Sequence, residues 1–259
     1  MKLSIKAHLD YQAERPTDLL IQIEAAMLPD QQIEFGRLDI SANDHIVRVA
    51  GEAGIGERLW TRATGQIVID YRATVVIDRN LCDCRSLPTI PLHKLPAEAV
   101  PFLMASRYCP SDRFETFIDD DFADLQGGAR VIAMRDWIER SLTYKAGASN
   151  AETTAADTFV DRQGVCRDYA HLMITLARAA GIPARMASVY APGVDPPDFH
   201  AVAEVYLGDW YLIDATGMAT PDTMARIVVG RDAADIAFLS AFGSIDLNAQ
   251  TVTVERVRD

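Results

Sequence analysis

The hydrophobic period changes once along this chain, and the change falls at a run of prolines. Up to about residue 90, apolar and polar residues alternate. Leu3, Ile5, Ala7 and Leu9 do so, then Ile21 and Ile23, then Ile67, Ile69 and Tyr71, with Val75, Val76 and Ile77 closing the run. A period of two belongs to half-buried strands. Turn signals at Pro29-Asp30, Asn43-Asp44 and Gly54 to Gly56 separate the runs. Residues 1–90 therefore read as an N-terminal β domain, a small antiparallel sheet or sandwich. Pro88, Pro91, Pro96 and Pro101 then punctuate a connector, and the period becomes helical.

Val131, Met134, Ile138 and Leu142 recur at helical spacing. A second helix is expected from Thr154 to Arg162, ending at Gly164. A third begins near Cys166 and runs through CRDYAHLMITLARAA, with Gly181 suited to its C′ position and Pro183 preventing continuation. Strands return at Ala184 to Tyr190. After the loop APGVDPPDF, HAVAEVYL and WYLIDAT flank Gly208-Asp209 as a hairpin, and TVTVERV is a last strand. The fold class is α+β, with a second unit over residues 91–259.

Composition removes several functional classes. Asp and Glu number 37 against 25 Lys and Arg, a formal charge of −12. Affinity for a phosphate backbone comes from basic side chains, so nucleic acid is not an expected partner. An anionic membrane surface is disfavoured on the same ground. No run of 18 uncharged apolar residues exists, and Lys2, Lys6 and Asp10 interrupt any apolar leader. Four cysteines are too few for a disulfide scaffold. The expectation is a cytoplasmic protein with reduced thiols. Composition does not reach the oligomeric state.

The strongest local feature is GVCRDYAHL, which places Cys166 after a glycine at the start of an apolar helix. Free N–H groups and the positive end of the helix dipole favour a thiolate at such a place, which suits acyl chemistry. His200 opens a strand beside the Pro/Gly loop, where a base is well placed. Asp214 lies on the second strand of the hairpin. In order, Cys166, His200 and Asp214 supply a nucleophile, a base and a carboxylate that fixes the imidazole tautomer. Each alone has a plainer reading: a helix-start thiol, a structural histidine, a turn-forming aspartate.

Together the segments GVCRDYAHL, GIPARMASVY and DFHAVAEVYLGDWYLIDAT resemble the transglutaminase-like superfamily, whose bacterial members are often described as cysteine proteases. ASRYCPSD, the TTAAD segment and VGRDAADIAF extend the resemblance over roughly residues 95 to 245. The resemblance implies a papain-like core of helices on an antiparallel sheet, and an accessory role for the N-terminal β region. It also implies a catalytic set of Cys166, His200 and Asp214, a peptide or amide substrate, and no metal or organic cofactor. Ala215 departs from the Asp-Pro-Thr of many members. Hydrolysis, acyl transfer to an amine and a non-catalytic binding role all remain open to such a chain.

Other residues compete for these roles. His171 lies five positions after Cys166, about 140° around the helix axis, and is expected on its back. Asp168 is expected to support the dipole, and Arg167 to be solvated. Tyr144 and Gln163 are candidate second donors to an oxyanion. Cys82, Cys84, His93 and Cys109 are zinc-type residues, but their spacing is unlike that of structural zinc sites. Asp119 to Asp121 read as a solvated loop or helix start, and Gly51 to Gly56 lacks the Gly-Lys-Ser/Thr ending of a phosphate loop. Trp210 and Tyr211 read as core residues of the hairpin.

The hairpin register decides whether the triad is feasible. Side chains alternate faces along a strand. A two-residue turn at Gly208-Asp209 would set Asp214 opposite Ala203, pointing away from His200. A three-residue loop, Leu207 to Asp209, sets Tyr206 opposite Trp210 and Asp214 opposite Val202, on the face of His200. The expectation is an odd-length loop centred near Gly208, or an equivalent bulge.

Overall fold

The computed structural model describes residues 1–41, 45–79 and 81–257, so the expected turn at Asn43-Asp44 lies outside the described residues. Four strands come first: β1 (Lys2–Ile21), β2 (Gln31–Ile40), β3 (Ile46–Ala50) and β4 (Glu57–Ile77). The alternating apolar residues of β1 and β4 are buried, Leu3, Ile5, Leu9, Ile67, Ile69 and Val75 among them. One face of this sheet therefore lies on the core, as a period of two requires. The Pro29-Asp30 turn forms, with Leu28 and Gln31 bridged across it.

The connector carries short 3-10 turns rather than long helices. Then come α1 (Glu115–Asp121), α2 (Gly127–Ser141), β5 (Thr143–Tyr144), α3 (Ala155–Asp161), β6 (Gln163–Gly164) and α4 (Cys166–Ala179). Asp119 to Asp121 thus close α1 instead of opening a helix. The helix expected to end at Gly164 ends earlier, because Arg162 takes the left-handed position at φ 56°. Gly164 is required for another reason: a Cβ there would stand 2.6 Å from the Asp168 Cβ. Gly128 is likewise fixed, since its Cβ would fall 1.4 Å from the Cys84 carbonyl oxygen, where the connector crosses α2.

Strands β7 (Ala184–Tyr190), β8 (His200–Tyr206), β9 (Trp210–Ile213) and β10 (Ala225–Gly230) form a second, antiparallel sheet in the order β10-β7-β8-β9. Helix α4 packs across β8 and β7. A short helix α5 (Ala233–Ile236) precedes β11 (Leu239–Ala241) and β12 (Ile245–Arg256). Both last strands pair with β1, so TVTVERV completes the first sheet, not the second. A period of two identifies a strand but not its sheet. The first sheet, of six strands, is therefore built from both segments of the expected 1–90 and 91–259 division.

The two sheets are joined by buried polar contacts. Tyr190 donates to the Ile23 carbonyl at 2.7 Å, and Tyr71 accepts from the Ala25 N–H at 3.0 Å. The two rings stack at 6.1 Å. Burial pushes the Tyr71 phenol up to about 12. Glu204, fully buried on β8, is ion-paired to Arg185 at 2.7 Å and to Arg226 at 2.8 Å. Arg226 continues to Asp30 at 3.2 Å. Removing one member of such a chain strands a buried charge, at a cost of about 3–5 kcal/mol. Among the described residues, no helix is long and apolar enough to cross a membrane.

His171 anchors the back of α4. Its ring is fully buried, stacks on Tyr108 at 4.9 Å, and Nε2 accepts the Ala233 N–H at 3.2 Å. Burial lowers its pKa to about 3, so the ring is neutral in the fold. The unfolded chain takes up this proton below about pH 6.5 and the folded chain does not, so stability falls with pH from there towards 3. By pH 5 the loss reaches about 2 kcal/mol, at 1.36 kcal/mol per unit. Urea unfolding at pH 7.5 and pH 5 should show that His171→Gln lowers stability at pH 7.5 and removes this part of the pH dependence.

Candidate active site

The site begins at the first turn of α4. Val165, the N-cap, is extended and offers no polar side chain. Asp168 takes over the capping: its Oδ2 accepts the Val165 N–H at 2.8 Å and the Ser149 hydroxyl at 2.6 Å. A carboxylate in the first turn also opposes the positive end of the dipole. Arg167 differs from the solvated residue expected. It donates to Ser149 Oγ at 3.2 Å and to the Asn150 carbonyl at 2.8 Å, which ties the 149–150 loop to the helix start. Cys166, partly exposed, is the first residue of α4.

Two short parallel strands bring Tyr144 beside it. Tyr144 pairs with Gly164 across β5 and β6. Its phenol is pushed up to about 12, by burial first and then by the neighbouring Cys166 sulfur, while the Cys166 backbone N–H pulls the other way. Gln163, the other candidate donor, has its Oε1 engaged by the Lys145 ammonium at 3.2 Å.

His200 is the first residue of β8 and Asp214 the residue after β9. The hairpin between them has the odd loop that parity demands. Tyr206 pairs with Trp210 and Ala203 with Ile213, leaving Leu207 to Asp209 as a three-residue loop closed by Leu207 N–H to the Asp209 carbonyl at 3.0 Å. Gly208 supplies the positive φ, 97°, that the loop needs. Asp214 Oδ2 then lies 3.0 Å from His200 Nε2.

The Cys166 sulfur interacts with the same imidazole. Nε2 is committed to Asp214, and Nδ1, the other ring nitrogen, is buried with no hydrogen-bond partner. Burial alone would depress the His200 pKa. The hydrogen bond to Asp214 and the adjoining sulfur outweigh it and raise the pKa to about 10, so the ring holds both protons at neutral pH. The Asp214 carboxyl is also buried, yet its pKa is lowered, because His200 and Thr216 hydrogen-bond to the charged form.

Thr216 is a residue of the candidate site that sequence reasoning missed. Its N–H and hydroxyl donate to Asp214 Oδ1 at 2.8 and 2.7 Å, and the Ala219 N–H donates to Oδ2 at 2.9 Å. The signal was present: an aspartate two residues before a threonine is the pattern of an Asx-turn. These bonds fix the strand exit, where Ala215 stands in place of proline.

The remaining candidates fall elsewhere. Trp210 packs on Phe102 at 5.4 Å, with the Arg185 guanidinium 3.9 Å from its ring centroid. Cys109 is buried, its sulfur 3.6 Å from the His171 carbonyl, and burial raises its pKa to about 12. Among the described residues no three His, Cys, Asp or Glu side chains form an arrangement able to hold a metal, so Cys82, Cys84, His93 and Cys109 make no ligand set. A concavity of about 550 Å³ lies on the first sheet against Tyr71 and Arg48 and is lined by none of Cys166, His200 and Asp214.

Comparison with known proteins bears on the family and the fold. Residues 120–215 match the family model of the transglutaminase-like superfamily. A crystal structure of a candidate cysteine protease from Cytophaga hutchinsonii is 33% identical, with a TM-score of 0.92, over 100% of this chain and 91% of that one. An uncharacterized protein of Mycobacterium leprae is 31% identical over 141 residues, 49% of this chain and 50% of that protein. A Mycobacterium tuberculosis protein is 29% identical over 144 residues, 48% of this chain and 45% of that protein. The chain thus matches about half the length of these curated relatives. A helix-start cysteine, a strand-start histidine and a hairpin aspartate lie within a fold shared end to end with the Cytophaga protein, and the chain belongs to the transglutaminase-like superfamily.

Proposed function

We propose that the protein is a thiol-dependent acyl-transfer enzyme that hydrolyses a peptide or amide bond through a thioester on Cys166. The observation that carries this reading is the shared imidazole. His200 is bonded through Nε2 to Asp214 at 3.0 Å, while its other face meets a thiol at a helix N-terminus. A histidine placed for packing alone needs neither partner.

In this reading the Cys166 thiolate attacks the carbonyl carbon, and the oxyanion is held by the Cys166 N–H and the Tyr144 hydroxyl. His200 gives its proton to the departing amine as the C–N bond breaks. The neutral ring then takes a proton from water as the water attacks the thioester; the C–S bond breaks, the carboxylic acid leaves, and the thiolate and protonated imidazole are restored. Asp214 holds the ring orientation throughout. No step calls for a metal or organic cofactor.

Water is favoured over an amine as the acceptor by the loop beside His200. Its tip, Gly193 and Asp195 to Pro197, is exposed, whereas a transferase must shield its thioester from water. The acidic charge of −12 supports a peptide or amide substrate over nucleic acid or an anionic membrane. Four unpaired cysteines support a reducing, cytoplasmic setting.

Brief treatment with iodoacetamide followed by peptide mapping should label Cys166 ahead of Cys82, Cys84 and Cys109. Faster labelling of any of those three would remove the thiol assignment. With a peptide-amide substrate, the acid should exceed the amine adduct at modest amine concentration; the reverse ratio would replace hydrolysis by transfer.

The His200 titration tests the pairing. NMR of the imidazole should show a proton retained through neutral pH and lost near 10, and Asp214→Asn should bring that value down. The same substitution should reduce turnover by at least about 100-fold and leave Cys166 open to alkylation. An imidazole that titrates near 6.5 in the intact protein would contradict the proposed resting state.

A further inference from the structure

On the acyl-transfer reading above, a substrate peptide lies across Cys166 and passes the 191–198 loop that leads into His200. A groove of about 270 Å³ runs between this loop and β12. That is below the roughly 300 Å³ at which sites for drug-sized ligands begin, so it has room for about one long side chain. Ala191, Val194, Val252 and Val254 give it aliphatic walls, and its charged lining residues are Asp198 and Glu255.

Asp198 is held in place. Its Oδ1 accepts the Phe199 N–H at 2.7 Å and the Gln250 side-chain amide at 2.6 Å, which leaves Oδ2 for a ligand. Among the described residues no cation is ion-paired with either carboxylate. Lys6, diagonal to Glu255 across the β1–β12 ladder, forms no ion pair with it. Asp198 stands two residues before His200, the first residue of β8, so the groove adjoins the strand that carries the imidazole.

Aliphatic walls with two unpaired carboxylates in the lining complement one kind of side chain, a long apolar stem that carries a cation. We propose that this groove is a subsite for a lysine or arginine side chain of the substrate peptide, with Asp198 as the anchor and Glu255 as the second carboxylate. The negative charge of the whole chain draws such a group in the same direction.

The test reads binding, apart from turnover. Fluorescein-labelled hexapeptide-amide mixtures, each with one position fixed as Lys, norleucine or Glu, are titrated by anisotropy against the full chain carrying Cys166→Ala. At one position the Lys mixture should bind about tenfold more tightly than the norleucine mixture, and the Glu mixture more weakly than either. Added salt should narrow the gap. Asp198→Asn keeps a carbonyl for Phe199 and Gln250 and should abolish most of the preference; Glu255→Gln, on an exposed strand position, should reduce it. Thermal unfolding of both variants checks the fold. Equal binding of Lys and norleucine at all positions, no binding of any mixture, or an unchanged preference in both variants would overturn the proposal. Because this protein lacks the thiol, these outcomes stand apart from the alkylation and product measurements that judge the acyl-transfer reading.

Discussion

Helix α4 is buried along nearly its whole length, from Asp168 to Arg178, and the placement of every reactive group depends on that burial. A helix wrapped on all sides has no freedom to slide or rotate without opening cavities, and each lost large side chain would cost about 2–5 kcal/mol. Arg178 locks its far end by donating to the Ala184, Met104 and Arg231 carbonyls. Asp168 closes the near end. Cys166, two residues before Asp168, is thereby held at the start of a helix that packs on β8. The site is therefore set by the core rather than by its own contacts.

Buried charge adds to packing in fixing the second sheet. Glu204 lies four residues along β8 from His200, on the same face by strand alternation. Its two arginines tie β8 to β7 and β10 and, through Asp30, to the first sheet. The strand that presents the imidazole is thereby held both by its packing against α4 and by ion pairs. Preorganisation of this kind is what a base and its orienting carboxylate require, since an error of about 1 Å in position can cost about a hundredfold in rate.

Much of this arrangement was legible in the residues. The alternation in β1 and β4 announced a sheet with one buried face, and the parity of the hairpin demanded an odd loop before Asp214 could face His200. Other features were not legible, for definite reasons. β3 carries Ile46, Val47 and Val49, yet all are exposed, because the sheet has no second layer over them. Arg162 stands in a left-handed position that glycine usually takes, so the end of α3 was placed too late. Asp198 gave no signal, since its partner Gln250 lies 52 residues away on a strand whose sheet no local pattern reveals.

The return of β12 to the first sheet has a consequence for how the chain acquires its structure. Leu3 pairs with Arg256, and the Val257 N–H donates to the Lys2 carbonyl. Loop closure over such a separation is slow, and its entropy must be lost before the contact rewards it. During synthesis, β1 emerges first and waits with one edge unpaired until nearly the last of these residues has left the ribosome. An unpaired edge of this length is a template for another chain. Pairing of β12 with β1 therefore does more than complete the first sheet: it removes an edge that would otherwise be open to pairing with another chain.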